Sequence, residues 1–207
     1  MRVVSTNIGR HRVVVWNQEA IKTGIFKYPV DENIYLGQTE VEGDAVIERK
    51  YHGGIDKACY IFSEDHYPAW QAKYPHLEWS HGMFGENLTV NGLDEKTIRI
   101  GDVFKVGSAK VQVSEPRQPC FKLNIRFNSK TAVKEFVHYK HCGCYLRVID
   151  EGYVENGDVF RLIESNPESL TVYETFSLLY AKKKDVKLVE RALKDPFLGT
   201  STKRSFQ

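Results

Sequence analysis

From Arg2 to about Ile163 the apolar positions come in short bursts rather than in long stripes. VVSTNI, RVVVWN, TGIFKYPV, ACYIFS, LTVNGL, TIRIGDVFKVG, AKVQVSEP, YLRVIDEG and GDVFRLIE are separated by turn residues, and many are rich in Val and Ile. Runs of this kind, with Gly-Asp or Asn-Gly between them, predict strands of an antiparallel barrel or sandwich. Two interruptions have helical spacing. SEDHYPAWQAKYP can be capped by Ser63 or Asp65, puts Tyr67 and Trp70 on one face and stops at Pro75, and SKTAVKEFVHYK carries Ala132, Val133, Phe136 and Val137 in helical register. Both read as packing elements.

The pattern changes after Asn166-Pro167. SLTVYETFSLLYAKK sets Thr171 and Glu174 in capping-box register and lines Val172, Phe176, Leu179 and Tyr180 along one stripe. DVKLVERALKD is a second amphipathic helix with Val186, Val189 and Leu193 on its apolar side, and a third short element is expected around Thr200 to Phe206. The division is therefore a mainly β domain over 1–165, with peripheral short helices, and a small helical one over 166–207. The tail is too small to fold alone, so its apolar faces must pack on each other and on the β domain or on a second subunit, as in a homodimer.

Composition narrows the classes. The net charge of the 207 residues is only +2, so no bulk attraction to a nucleic acid polymer or a membrane surface exists. No apolar run approaches a membrane span, and MRVVSTNIGR lacks a signal-peptide core, which sets the expectation of a cytoplasmic protein. The 4 cysteines are no disulfide framework in a chain this long; they are expected as free thiols or metal ligands.

Chemistry concentrates in three stretches. SEPRQPCFKLN holds Cys120 behind two prolines that stiffen the chain, between Arg117 and Lys122. A thiol held beside two cations favours its thiolate, the form that ligates metals and attacks electrophiles; the opposing reading is a solvated loop cysteine. In KYHGGIDKACY the glycines of His52-Gly53-Gly54 free the backbone to take positive φ, and Lys57 can reach the same concavity, an arrangement suited to phosphate. In HGMFGENLTV, Glu86 and Asn87 offer a carboxylate and a carboxamide at a strand entrance, or simply cap the loop. Asp44 and Asp102 sit in Gly-Asp turns that read as structural. HYKHCGC brings His138, His141, Cys142 and Cys144 together, but the two cysteines bracket one glycine at a strand start and no second paired ligand set exists, so packing is preferred over zinc. A GxGxxG fingerprint and a P-loop are both absent.

In order along the chain, TGIFKYPV, VEGDA, HGGIDKACY, HYPAW, FGENLTV, IGDVFKVGSAKVQVSEPRQPCFKL and GCYLRVIDEGYVENGD resemble MOSC-domain proteins, the family named for the C-terminal domain of molybdenum cofactor sulfurase. The likeness is nearest to stand-alone bacterial YiiM-type members with a small three-helix domain after the barrel. The resemblance implies a MOSC-type β-barrel that binds the molybdenum cofactor (molybdopterin, a phosphorylated pterin dithiolene carrying Mo), with Cys120 as the metal ligand. By the same likeness the family carries a generic association with pyridoxal phosphate binding. Lys27, His52, Gly53, Gly54, Lys57, Asn87, Arg117, Lys122 and Arg147 become the candidates for cofactor contacts, and Glu86 or His52 the candidate for relaying a proton. The implied activity is reduction of N-hydroxylated compounds, such as hydroxylaminopurine-type bases, to amines. Because the chain shows no flavin, haem or iron–sulfur signature, electrons would come from a separate flavoprotein. The competing expectation is a carrier that holds the cofactor, or a persulfide sulfur on Cys120, without catalysis.

Overall fold

The strand-like bursts do assemble a sheet. The computed structural model describes residues 1–47 and 53–207. Its strands are β1 (Arg2–Gly9), β2 (Arg12–Trp16), β3 (Glu19–Thr23), β4 (Lys27–Val30), β5 (Ile34–Leu36), β6 (Cys59–Ser63), β7 (Leu88–Asn91), β8 (Val103–Val106), β9 (Ala109–Pro116), β10 (Cys144–Asp150), β11 (Gly152–Val154) and β12 (Arg161–Glu164). Eight of them form one curled sheet in the order β12-β8-β9-β10-β6-β7-β1-β4, and β2–β3 and β5–β11 make separate two-stranded ribbons. The sheet is a half-barrel: among the described residues no ladder joins β12 to β4.

Most neighbours are antiparallel, but β6 and β7 run parallel, with Ile61 opposite Leu88 and Ser63 opposite Val90. A parallel pair needs a long crossover. Residues 64–87 supply it, and they carry the helix Tyr67–Lys73 predicted from SEDHYPAWQAKYP. Ser63 accepts from the Asp65 N–H at 3.3 Å and starts the helical turn, as its position suggested. All five residues of β6 are buried, so the strand is covered on both faces. On one face lies an aromatic core in which Phe62 stacks on Phe84 with ring centroids 4.1 Å apart and Trp70 packs edge-on against Phe84. Burying each such ring stabilises the fold by about 1.5–3 kcal/mol.

The helices after Asn166 are Val172–Leu179, Val186–Lys194 and Thr200–Arg204. The first has the expected capping box: the Glu174 N–H donates to Thr171 Oγ1 at 3.0 Å while the Thr171 N–H donates to Glu174 Oε2 at 2.9 Å. Their apolar residues do not form a core of their own. Leu170, Val172, Phe176, Leu198 and Phe206 belong to the same buried cluster as the sheet. The last helix also docks through polar contacts, since the buried Glu115 accepts from Ser201 Oγ at 2.8 Å and from the Thr202 N–H at 3.1 Å. Among the described residues no helix is long and apolar enough to cross a membrane.

Candidate functional site

Pro116 is the last residue of β9, opposite Cys144 of β10 and beyond the last residue that β8 pairs. A residue without an N–H ends the ladder there, and the chain leaves the sheet as an irregular segment through Cys120. The Leu123 N–H then donates to the Cys120 carbonyl at 2.9 Å and opens a short helix, Lys122–Arg126, which the sequence pattern did not disclose. This exit leaves the Cys120 thiol half-buried in the wall of a cavity of about 640 Å³, measured with its mouth. Lys27, Lys57, Asn87, Arg117 and Lys122 line the same cavity. Six of the expected site residues therefore meet in one place.

Three further walls are Asp44, Tyr60 and Tyr145. Tyr60 and Tyr145 are register partners on β6 and β10, with ring centroids 5.3 Å apart. Burial pushes the Tyr145 phenol up to about 12 and raises Tyr60 as well, so both stay neutral. Arg117 is buried with its guanidinium over the Tyr60 ring at 5.1 Å, and its Nη1 has no hydrogen-bond partner. Burial works against that charge, but the surrounding phenols and Cys120 hold the guanidinium above its ordinary value. A buried, charged and partly unpartnered donor is costly unless a ligand completes it.

Asp44 is the acid on the cavity wall, while Lys57 is ion-paired with the buried Glu115 at 3.2 Å. Asp44 is ion-paired with Lys27, accepts from the Gly9 N–H at 2.8 Å and accepts from Asn87 Nδ2 at 2.9 Å. Its Gly-Asp turn therefore builds the site, unlike that of Asp102, which accepts from the Arg99 and Asn166 N–H groups as an ordinary structural turn. Asn87 holds its own place from both sides, since the Tyr60 N–H donates to its Oδ1 at 3.2 Å. Gly24 lets the wall close, because a Cβ there would stand 1.9 Å from the Ala45 carbonyl oxygen.

The remaining expected residues lie elsewhere. Gly54 takes positive φ (92°) as anticipated, but its N–H donates to the Thr39 carbonyl at 3.2 Å, and neither Gly53 nor Gly54 lines the cavity. His52 lies outside the described residues. Glu86 is fully buried, off the cavity, and its carboxylate accepts from Tyr67 Oη, the Gly82 and Phe84 N–H groups and Thr89 Oγ1. Arg147 is likewise off the cavity. Its guanidinium donates to Asp56 Oδ1, to Gln112 Oε1 and to the Phe197 carbonyl, while Asp56 Oδ2 accepts from the Thr200 N–H. Burial opposes the Asp56 charge, but the Thr200 N–H and Arg147 outweigh it and hold the carboxyl below its usual 3.8. A lowered carboxylate contributes its stability in full above the usual value and loses it as pH falls through the folded one. This clip is thus intact at neutral pH and ties the tail to the turn before β6.

Arg147→Ala is expected to lower stability by about 1–3 kcal/mol, because Asp56 and Gln112 each lose a donor. The expected result is a lower melting temperature with an unaltered alkylation rate at Cys120. Faster alkylation without a thermal change would place Arg147 over the cavity instead.

The other cysteines offer no second nucleophile. Cys59, Cys142 and Cys144 are fully buried, and burial pushes the Cys59 thiol up to about 12 and raises the other two. Cys142 and Cys144 are packing residues, as their spacing indicated.

A family model of the MOSC domain matches residues 48–161. The chain belongs to the MOSC domain family. This MOSC protein is 36% identical over 204 residues to the uncharacterized protein YflK of Bacillus subtilis (strain 168), covering 99% of this chain and 92% of that one. It is 35% identical over 147 residues to a protein named Reductase from Gibberella moniliformis (strain M3125 / FGSC 7600); that stretch is 70% of this chain and only 26% of the fungal protein. The crystal structure of YiiM from Geobacillus stearothermophilus superimposes with a TM-score of 0.83 at 29% identity, covering 100% of this MOSC chain and 97% of that one.

Proposed function

We propose that this MOSC protein is a molybdenum-cofactor-dependent reductase that converts N-hydroxylated compounds, hydroxylaminopurine-type bases among them, to the amine and water. One observation carries the reading: a half-exposed thiol shares a cavity with four cationic side chains, one of them a buried guanidinium with a nitrogen left unpartnered. That donor set fits the group. The thiolate is a soft ligand for molybdenum, and the cations suit the phosphate of the pterin. The fungal relative named Reductase supports the reaction class.

Cys120 is the residue that would hold the metal, and Lys27, Lys57, Arg117 and Lys122 the anionic parts. Tyr60 and Tyr145 give the cavity flat apolar walls against which a pterin can lie, and Asn87 offers amide polarity beside Asp44. When bound, the cofactor supplies the two electrons of the reduction. Two protons accompany them, one of which leaves in water with the hydroxyl oxygen. We assign the relay to His52 rather than to Glu86, whose oxygens are taken up by loop donors. A separate flavoprotein is the proposed electron source.

The test is to purify the protein from cells that make the cofactor, measure molybdenum and phosphorus per chain, and assay reduction of a hydroxylamino base with a chemical electron donor. Near-stoichiometric molybdenum with turnover is expected. Molybdenum without turnover would favour the carrier, as would an added sulfur mass on Cys120 after incubation with a cysteine desulfurase. Neither metal nor turnover would refute both.

A further inference from the structure

His66, Glu95 and His141 come from three separate segments: the turn before the helix Tyr67–Lys73, the loop after β7, and the approach to β10. None of them lines the Cys120 cavity. Glu95 is fully buried, and among the described residues the basic side chains facing its carboxylate are these two imidazoles rather than any lysine or arginine. His141 Nδ1 stands 2.9 Å and His66 Nε2 3.6 Å from Glu95 Oε2. The second distance is too long for a hydrogen bond, and His66 Nε2 is buried with no partner. The rings lie with centroids 4.2 Å apart and planes tilted by 35°.

The geometry points to a divalent transition-metal site of the zinc class, formed by His66 Nε2, Glu95 Oε2 and His141 Nδ1. The three donor atoms lie within 4.8 Å of one another. Around a tetrahedral zinc with bonds near 2.0–2.1 Å, ligand atoms are about 3.3 Å apart, and Glu95 Oε2 already stands 2.9 Å and 3.6 Å from the two ring nitrogens. The supports such ligands require are present. Tyr139 Oη lies 3.3 Å from His66 Nδ1 and can fix the ring with Nε2 toward Glu95, and the Gly143 N–H donates to Glu95 Oε1 at 3.1 Å, which leaves Oε2 for the ion. Two imidazoles with one carboxylate disfavour calcium and magnesium, which prefer all-oxygen sets. The His141 side chain is 25% exposed, leaving a path for the ion and a fourth position for water. The ion would also brace the tail, since the Tyr173 N–H donates to the Glu95 carbonyl at 2.8 Å.

The experiment uses the full chain carrying Cys120→Ser, so that the cavity thiol cannot capture the probe. Zinc chloride is titrated in competition with a chromophoric chelator, and cobalt chloride is added separately to read the visible d–d spectrum. One equivalent of zinc and a low-symmetry cobalt spectrum are expected, with binding weakened at least about 100-fold by Glu95→Gln and by His141→Ala, more than loss of an outer hydrogen bond causes. His138→Ala, outside the cluster, is expected to bind normally. Absence of stoichiometric binding, or binding indifferent to both ligand variants, would show a mere hydrogen-bonded cluster and overturn the site. Should those variants not fold, X-ray absorption on the zinc-loaded Cys120→Ser chain decides: two imidazole nitrogens with oxygen, from carboxylate and water, in the remaining positions support the site, and any other set overturns it.

Discussion

Cys120→Ser is expected to lose both retained molybdenum and turnover by at least about 100-fold, because even outer contacts of a metal ligand are commonly worth 10–100-fold and this change removes the proposed ligand itself. A serine hydroxyl is a hard donor and stays protonated at neutral pH, whereas a cysteine can offer a thiolate. The fold should hardly notice. Cys120 is half-buried in an irregular segment and its sulfur makes no hydrogen bond among the described residues, so stability is expected to stay within about 0.5 kcal/mol. Cys144→Ser supplies the contrast: it buries a hydroxyl in a packed strand, and is expected to lower the melting temperature while keeping the metal content of each folded chain. Metal analysis, steady-state rates and thermal melts on the two variants separate ligand from packing. Unchanged molybdenum in Cys120→Ser would end the ligand assignment, whatever the melting temperature.

The strands were legible where Val and Ile bursts met glycine turns, and nine of the elements in the sheet and its ribbons fall on runs of that kind. β3 was hidden because its hairpin turns through Asn17 and Gln18, both at positive φ, without the glycine that usually marks such a turn. β5 and β11 are three residues each, too short to show a period. The cavity was legible in part, since motif residues with unusual local chemistry, Cys120 above all, do meet there. What motifs cannot reveal is register. Tyr60 and Tyr145 are 85 positions apart and face each other only because Cys144 pairs with Ile61. Asp44 looked like any Gly-Asp turn until the fold set it against Lys27 and Asn87. Arg147 failed in the opposite direction. A cation on a strand of the right sheet faces the tail because Asp56 and Thr200 are there to receive it.

Glu86→Ala is expected to destabilise the protein by about 3–5 kcal/mol, the scale of stranding partners of a buried charge. The carboxylate gathers four donors: Tyr67 Oη from the crossover helix, the Gly82 and Phe84 N–H groups from the loop, and Thr89 Oγ1 from β7. With alanine there, those donors remain buried and unpaired, and each costs about 1–3 kcal/mol less whatever water enters. At about 2–4 °C per kcal/mol for a chain of this size, the melting temperature should fall on the order of 10 °C. Glu86→Gln keeps the volume but presents an amide nitrogen where only acceptors are wanted, so a smaller loss in the same direction is expected. The loop held by Glu86 leads straight into Asn87 on the cavity wall, and cofactor affinity should weaken together with stability. Activity per cofactor-loaded, folded molecule is the deciding measurement. If the carboxylate only organises the loop, that activity stays within about threefold of the parent in Glu86→Gln, whereas a lost proton relay would lower it by about 100-fold or more at an intact fold. The second outcome would return the relay to Glu86 and take it from His52.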